Sequence, residues 1–188
     1  MELSAFVVCA IVLALAFDIV NGFHDAANSI ATVVSTRVLS PRVAVLWAAG
    51  FNFVALLIAS GHMAKDFHGV PWWIVASSYG CMALGTAMGG WRIVKTMGMR
   101  LTKLRPIGGF CAEIAGAVTL FAATSMHIPV STTHTITGSI IGVGSTTRIR
   151  GIKWGLAGRI VWGWVFTIPL SAAMASIAFL AMRWLWLS

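Results

Sequence analysis

Apolar residues run through this chain in stretches of about the length that crosses a lipid bilayer, and nothing else in the sequence constrains the fold as strongly. A hydrocarbon interior roughly 30 Å thick takes about 20 helical residues, because a helix closes its backbone hydrogen bonds within itself. Six such segments occupy residues 3 to 36, 43 to 63, 70 to 91, 107 to 126, 130 to 147 and 154 to 187. With 59% hydrophobic and 10% charged residues, both an ordinary soluble domain and a disordered chain are excluded. The expected fold is all-α: a polytopic helical membrane protein with about six membrane segments. The first apolar stretch carries Glu2 where a signal peptide has basic residues, so it is expected to be retained as a span.

Two of the six segments are unusual. The first would be roughly 51 Å long as one helix, and its middle holds Asp18, Asn21, Gly22, His24, Asp25 and Asn28, which predicts a broken helix. The fifth, from Pro129 to Thr147, is short, rich in Ser and Thr in its first half and in Gly in its second. A re-entrant hairpin is the alternative to a span there. Non-helical backbone at membrane depth is tolerated only where protein or a polar cavity surrounds it, so both segments point at a cavity. The sixth carries Pro169 at its centre, either as a kink in one helix or between an interfacial helix and a span.

The net charge of +8 does not require nucleic acid, because the basic residues fall between the apolar runs. With six alternating crossings, one face collects Arg37, Arg42, Arg92, Lys95, Arg100, Lys103, Arg105, Arg148, Arg150, Lys153 and Arg159, and the other only Lys65 and Arg183. That bias places the basic loops in the cytoplasm and both termini outside, with Trp72, Trp73, Trp184 and Trp186 at the outer interface. A re-entrant fifth segment would change the parity after Pro129. Cys9, Cys81 and Cys111 form no C-x-x-C pair and are expected to be small hydrophobes, with neither disulfide nor zinc site.

Ionisable groups inside apolar segments are costly enough to be functional candidates, and here they are Asp18, His24, Asp25, Glu113 and His134. Plainer alternatives are Asp25 as a helix cap, Ser131, Thr132 and Thr133 as cap and back-bonding hydroxyls, His134 as a packed histidine and Asp18 as a helix-packing residue outside the site, whereas Glu113, with no basic residue nearer than Arg105 on its N-terminal side, is expected to face the cavity or bind a cation. Taken together, an acid and an amide on the first segment and a Pro-initiated, hydroxyl-rich helix start make a recipe for a small-oxyanion site. Phosphate or sulfate fits those donors. Placing such an anion near Asp25 and Glu113 costs repulsion unless a cation or proton accompanies it, which implies coupling to a cation.

The motifs N-G-F-H-D-A-A-N-S-I-A-T at Asn21 to Thr32 and I-P-V-S-T-T-H-T at Ile128 to Thr135 resemble the paired signatures of the PiT inorganic phosphate transporters. The flanks at Phe51 to Phe53, Gly89 to Gly98, Gly108 to Glu113 and Trp164 to Pro169 are similar to that family as well. The resemblance implies a phosphate symporter coupled to protons or sodium, without a cofactor. It implies that Asp25, Asn28, Ser131, Thr132 and Thr133 surround phosphate, that Asp25, Asn28 and Glu113 serve the cation, and that His24 and His134 lie nearby. A bacterial plasma membrane is the expected location, with membrane lipid and a homo-oligomer as further partners. Members of the family carry both motifs twice, in two inverted halves, whereas this chain has one of each. Residues 1–57 resemble the start of the first half and residues 70–188 the end of the second, with the interior missing around Ile58 to Gly69.

Two other classes compete with the carrier. A membrane enzyme holding a metal on His24, Glu113 and His134 lacks any H-E-x-x-H pattern to support it. A non-transporting membrane protein, at most associated with other carriers, is the alternative that the missing interior suggests.

Overall fold

Helix α1 (Glu2–Ser35) is 34 residues long and continuous. The break expected around Asp18 to Asn28 is absent, for a physical reason. Residues 18, 21, 25, 28 and 32 recur at helical spacing and share a stripe about 80° wide, so neighbouring helices can satisfy their side chains while the backbone bonds stay closed. The helix stops at Arg37, whose φ of 60° is left-handed. Arg37 N–H donates to Val34 O and Val38 N–H to Val33 O, the paired closure that satisfies the last carbonyls.

These features come from a computed structural model that describes residues 2–63 and 71–187, with side chains described over 7–55 and 71–184. Lys65, residues 64–70 of the expected junction and the side chain of Trp186 lie outside that range. The other long helices are α2 (Pro41–Met63), α3 (Trp72–Met88), α5 (Pro106–Ser125), α6 (Thr132–Arg148) and α7 (Trp154–Leu187). Between α3 and α5, a stretch expected to be only a basic loop forms a short helix α4 (Trp91–Val94) that runs into a π-helical turn (Lys95–Arg100). No strand occurs among the described residues. The stretches Val7–Ser35, Pro106–Ser125 and Trp154–Trp184 are long and apolar enough to cross a membrane.

The chain divides into two units, residues 1–152 and 153–188. In the first, α1 is the hub on which α2, α3 and the π turn pack. Its buried face is made of small residues, Ala26, Ala27 and Ala31, with Ile30. Small side chains let helix backbones approach closely, which substitutes for the hydrophobic drive that is missing between helices in lipid. The approach is tightest where α1 meets α3: a Cβ on Gly22 would strike the carbonyl of Met82, and one on Gly85 would strike the carbonyl of Ile19. Polar ties reinforce the contact. Ser78 Oγ donates to Asp18 Oδ2 at 2.6 Å, while Thr86 Oγ1 donates to Gly22 O at 3.1 Å and accepts from Asn52 Nδ2 of α2 at 2.7 Å.

Helices α5 and α6 form an antiparallel pair: Gly108 lies by Val143 and Gly116 by Ile136. The turn between them repeats the closure of α1, with His127 at φ 57° and Ile128 N–H donating to Ala123 O. Residues 132–148 are one uninterrupted helix, so a hairpin contained within 130–147 is not found. The second unit is α7, a single helix through Pro169. Its apolar side chains, such as Ile168, Met174 and Trp184, are exposed, as suits a helix whose solvent is lipid.

Replacing Gly22 by Ala is expected to destabilise the protein by about 1–3 kcal/mol, because the added methyl meets backbone rather than a yielding side chain. Gly50→Ala, which meets open space, serves as the control. Thermal unfolding in detergent should show a lower midpoint for the first variant only, and equal midpoints would contradict the close approach.

Candidate functional site

Two sequence motifs separated by about a hundred residues meet at Asn28. Its Nδ2 donates to Asp25 Oδ1 at 3.0 Å, to Thr133 Oγ1 at 3.0 Å and to Thr132 Oγ1 at 3.3 Å. Thr132 Oγ1 in turn donates to Asp25 Oδ1 at 3.3 Å, closing a triangle of acid, amide and hydroxyl between α1 and the start of α6. Asn28 is only 6% exposed, whereas Asp25 is half-buried and Ser131 and Thr132 are exposed. The cluster therefore has a buried floor and an open mouth.

The sequence around α6 explains its position. Pro129 and the turn at His127 end α5, and Ser131 caps the new helix by accepting from His134 N–H at 3.4 Å. Thr132 and Thr133 then occupy the first turn, where backbone N–H groups are free of intrahelical partners and the helix dipole favours negative charge. Thr133 Oγ1 appears in the described bonds as an acceptor, which leaves its proton to donate to an anion.

One turn further along α1, Thr32 Oγ1 donates to Glu113 Oε1 of α5 at 2.5 Å. Thr32 is 1% exposed and Glu113 is half-buried. Two buried polar atoms have no protein partner among the described residues: Asn28 Oδ1 and Thr137 Oγ1. Both are oxygens, the donor type that hard cations take.

Of the expected residues, the structure brings Asp25, Asn28, Thr132 and Thr133 into direct contact, with Ser131 behind them as a cap and Glu113 one turn away through Thr32. His24 lies on the exposed side of α1, edge-on to Phe23 with ring centroids 5.7 Å apart. His134 contributes its backbone N–H to the Ser131 cap. His24, Glu113 and His134 do not converge: no group of three potential metal ligands of the His, Cys, Asp and Glu types occurs among the described residues. Asp18 is bonded to Ser78 of α3. Thr32 and Thr137 were not singled out from the sequence. Both follow a named residue by four positions, Asn28 and Thr133, so extending the helical period through the polar residues would have found them.

These elements define an all-α integral membrane protein with a polar cluster between its helices. The phosphate transporter family profile matches residues 21–69 and 63–175, and the chain belongs to that family, which comprises transporters rather than enzymes. Three relatives carry the name "Probable low-affinity inorganic phosphate transporter". The one from Rhizobium meliloti is 32% identical over 317 aligned positions, covering 91% of this chain and 95% of the relative. The Bacillus subtilis protein is 41% identical over 136 residues, which is 72% of this chain and 40% of the relative. The Mycobacterium tuberculosis protein is 33% identical over 130 residues, 69% of this chain and 31% of the relative. An alignment of 317 positions exceeds the 188 residues available, so it crosses a stretch that the relative has and this chain lacks. The chain is about 190 residues long against about 330, less than two thirds of that relative's length. No solved structure matches it significantly.

Removing the Asn28 amide is expected to loosen the start of α6, because two hydroxyls and a carboxylate lose their shared donor at once. Hydrogen exchange in Asn28→Ala should accelerate about tenfold over residues 136–139, whose N–H groups close on the carbonyls of the first turn of α6, and stay unchanged in α3. Uniform acceleration across both helices would show that Asn28 supports the whole fold rather than this junction.

Proposed function

We propose that the chain binds inorganic phosphate together with a coupling cation, at one half of a phosphate carrier's site. The observation that supports it is the Asn28 bridge, which joins the acid and amide of the first motif to the hydroxyls of the second. In this reading Ser131, Thr132 and Thr133, with the first N–H groups of α6, hold the anion. Asp25 and Asn28 face both phosphate and cation, and Glu113 serves the cation, a proton or sodium. The unpartnered oxygen of Asn28 adds an acceptor to the same floor. His24 and His134 flank it.

An order of binding follows from proton counting. A threonine hydroxyl has one proton, and that of Thr132 is directed at Asp25. It turns toward phosphate only once Asp25 has a positive partner, so the cation binds first. Isothermal calorimetry of purified chain in detergent should therefore give phosphate binding that requires sodium or acid pH, and Asp25→Asn should abolish that dependence. Equal, cation-dependent binding by Asp25→Asn and the parent would sink the assignment.

The membrane arrangement belongs to the same proposal. Six segments, α1, α2, α3, α5, α6 and α7, lie in a membrane, taken to be a bacterial plasma membrane. Helices α5 and α6 together make the re-entrant element: the first turn of α6 meets α1 at Asn28, nine residues or about 13 Å before Arg37 at the basic end. A hairpin of two helices returns to the side it left, so parity after Pro129 is preserved and the division of eleven basic residues against two is unchanged.

Transport is a separate matter. Residues 1–57 and 70–188 correspond in this proposal to the beginning of one half and the end of another, and a second pair of motifs is missing. A parallel homo-oligomer would set two such sites side by side without the opposing repeat that alternating access rocks against. Proteoliposomes of the chain alone, with sodium and proton gradients imposed in turn, are expected to show no saturable phosphate uptake above empty vesicles. Saturable, gradient-driven uptake would mean that this chain completes its own site.

A further inference from the structure

We infer that the π-helical turn and the loop after it form a binding surface for the headgroup of an anionic phospholipid. The inference rests on the chain being an integral membrane protein and is independent of the phosphate site.

The surface is built on a rigid base. Val94, Met97 and Leu101 are at most 3% exposed, and Thr102 is buried as well, so the segment is anchored along its length. Gly98 sits against the Ala31 carbonyl and Ser35 of α1, and Thr102 lies by Gly144 of α6. The wider spacing of the π turn sends Met97 and Gly98 inward while Lys95, Met99 and Arg100 point outward. Lys103 and Arg105 follow, both exposed.

Four cations on one short segment require counterions, and the chain has almost none to give. It contains five acidic residues, of which Glu2, Asp18 and Asp25 lie in α1. From residue 71 to the end the single acid is Glu113, and its carboxylate takes the hydroxyl of Thr32. Among the described residues no carboxylate pairs with these cations, and an anion from outside can balance them.

Exposed apolar side chains choose the source of that balance. Trp91 and Met99, 39% and 56% exposed, alternate with the cations. Free phosphate or bulk salt would leave them facing water, whereas a lipid brings an anionic headgroup to Lys95, Arg100, Lys103 and Arg105 and acyl chains to Trp91 and Met99. Basic clusters at the cytoplasmic end of membrane helices attract anionic lipid in this way, and an aromatic ring sits well at the headgroup level.

The test uses the full chain purified in a non-ionic detergent, with dioleoylphosphatidylglycerol or dioleoylphosphatidylcholine added and bound lipids counted by native mass spectrometry. The parent is expected to retain phosphatidylglycerol about tenfold more strongly than phosphatidylcholine, and to lose that preference at about 0.5 M salt. Replacing Lys95, Arg100, Lys103 and Arg105 by Gln should lower phosphatidylglycerol affinity about tenfold or more. Arg183→Gln, at the other end of the chain, should leave it unchanged. The charge-preserving pair Trp91→Ala and Met99→Ala should weaken phosphatidylglycerol without altering its response to salt. Retention equal to the parent in the four-site variant overturns the inference, as does displacement of the lipid by millimolar inorganic phosphate, which would mark a free-anion site. Should the four-site variant fail to fold, the parent's lipid preference and the comparison of Arg100→Gln with Arg183→Gln decide: no preference, or equal losses, overturns it.

Discussion

A lipid interior offers no water to a polar side chain, and α1 carries a stripe of them from Asp18 to Thr32. Most of the groups on that stripe find their partners on neighbouring helices. Asp18 finds Ser78 on α3, the carbonyl of Gly22 finds Thr86, Asn28 finds Thr132 and Thr133 on α6, and Thr32 finds Glu113 on α5. The first two ties select α3, the next α6 and the last α5, so the order of polar residues along one helix sets the order of helices around it. The apolar face does not discriminate in this manner, because alanines accept any close-packed surface.

That requirement also explains which features were legible in the sequence. Helix boundaries followed the apolar runs closely: segments expected at 107 to 126 and 154 to 187 appear as Pro106–Ser125 and Trp154–Leu187. Asp25, Asn28, Thr132 and Thr133 were identified from their residue types inside apolar runs, and they do touch. What misled was the response of the backbone to polar residues. Asp18 to Asn28 suggested a break, but side-chain partners on α3 and α6 remove the need for one, and partners are invisible without tertiary structure. The π turn was hidden for a similar reason: Arg92 to Pro106 reads as a charged loop, and its order comes from Gly98 against α1 and Leu101 beneath the surface. The cap at His127 was also missed, since a left-handed residue at a helix end is expected to be Gly.

The position of the hydroxyl-rich motif shows how local and long-range chemistry combine. Ser131 starts α6 by capping it, a local device worth roughly 1 kcal/mol. That cap fixes the direction of the helix but not its place. The amide of Asn28 fixes the place, because Thr132 and Thr133 are the first side chains after the cap that can reach it. Moving the cap by one residue would rotate the hydroxyls by about 100° and leave the amide in an apolar environment.

Folding and transport draw on different parts of such a molecule. Among the described residues of the first unit, the ties of α1 to α5 and α6 close within one copy of each motif: Asn28 bridges to Thr132 and Thr133, and Glu113 accepts from Thr32. Alternating access requires something else, a second repeat with its own helix N-terminus against which the first can move. None of the hydrogen bonds described above supplies such a repeat. The hydrogen bonds that join α1 to α5 and α6 are therefore a measure of how the helices are held, and no measure of an ability to carry phosphate.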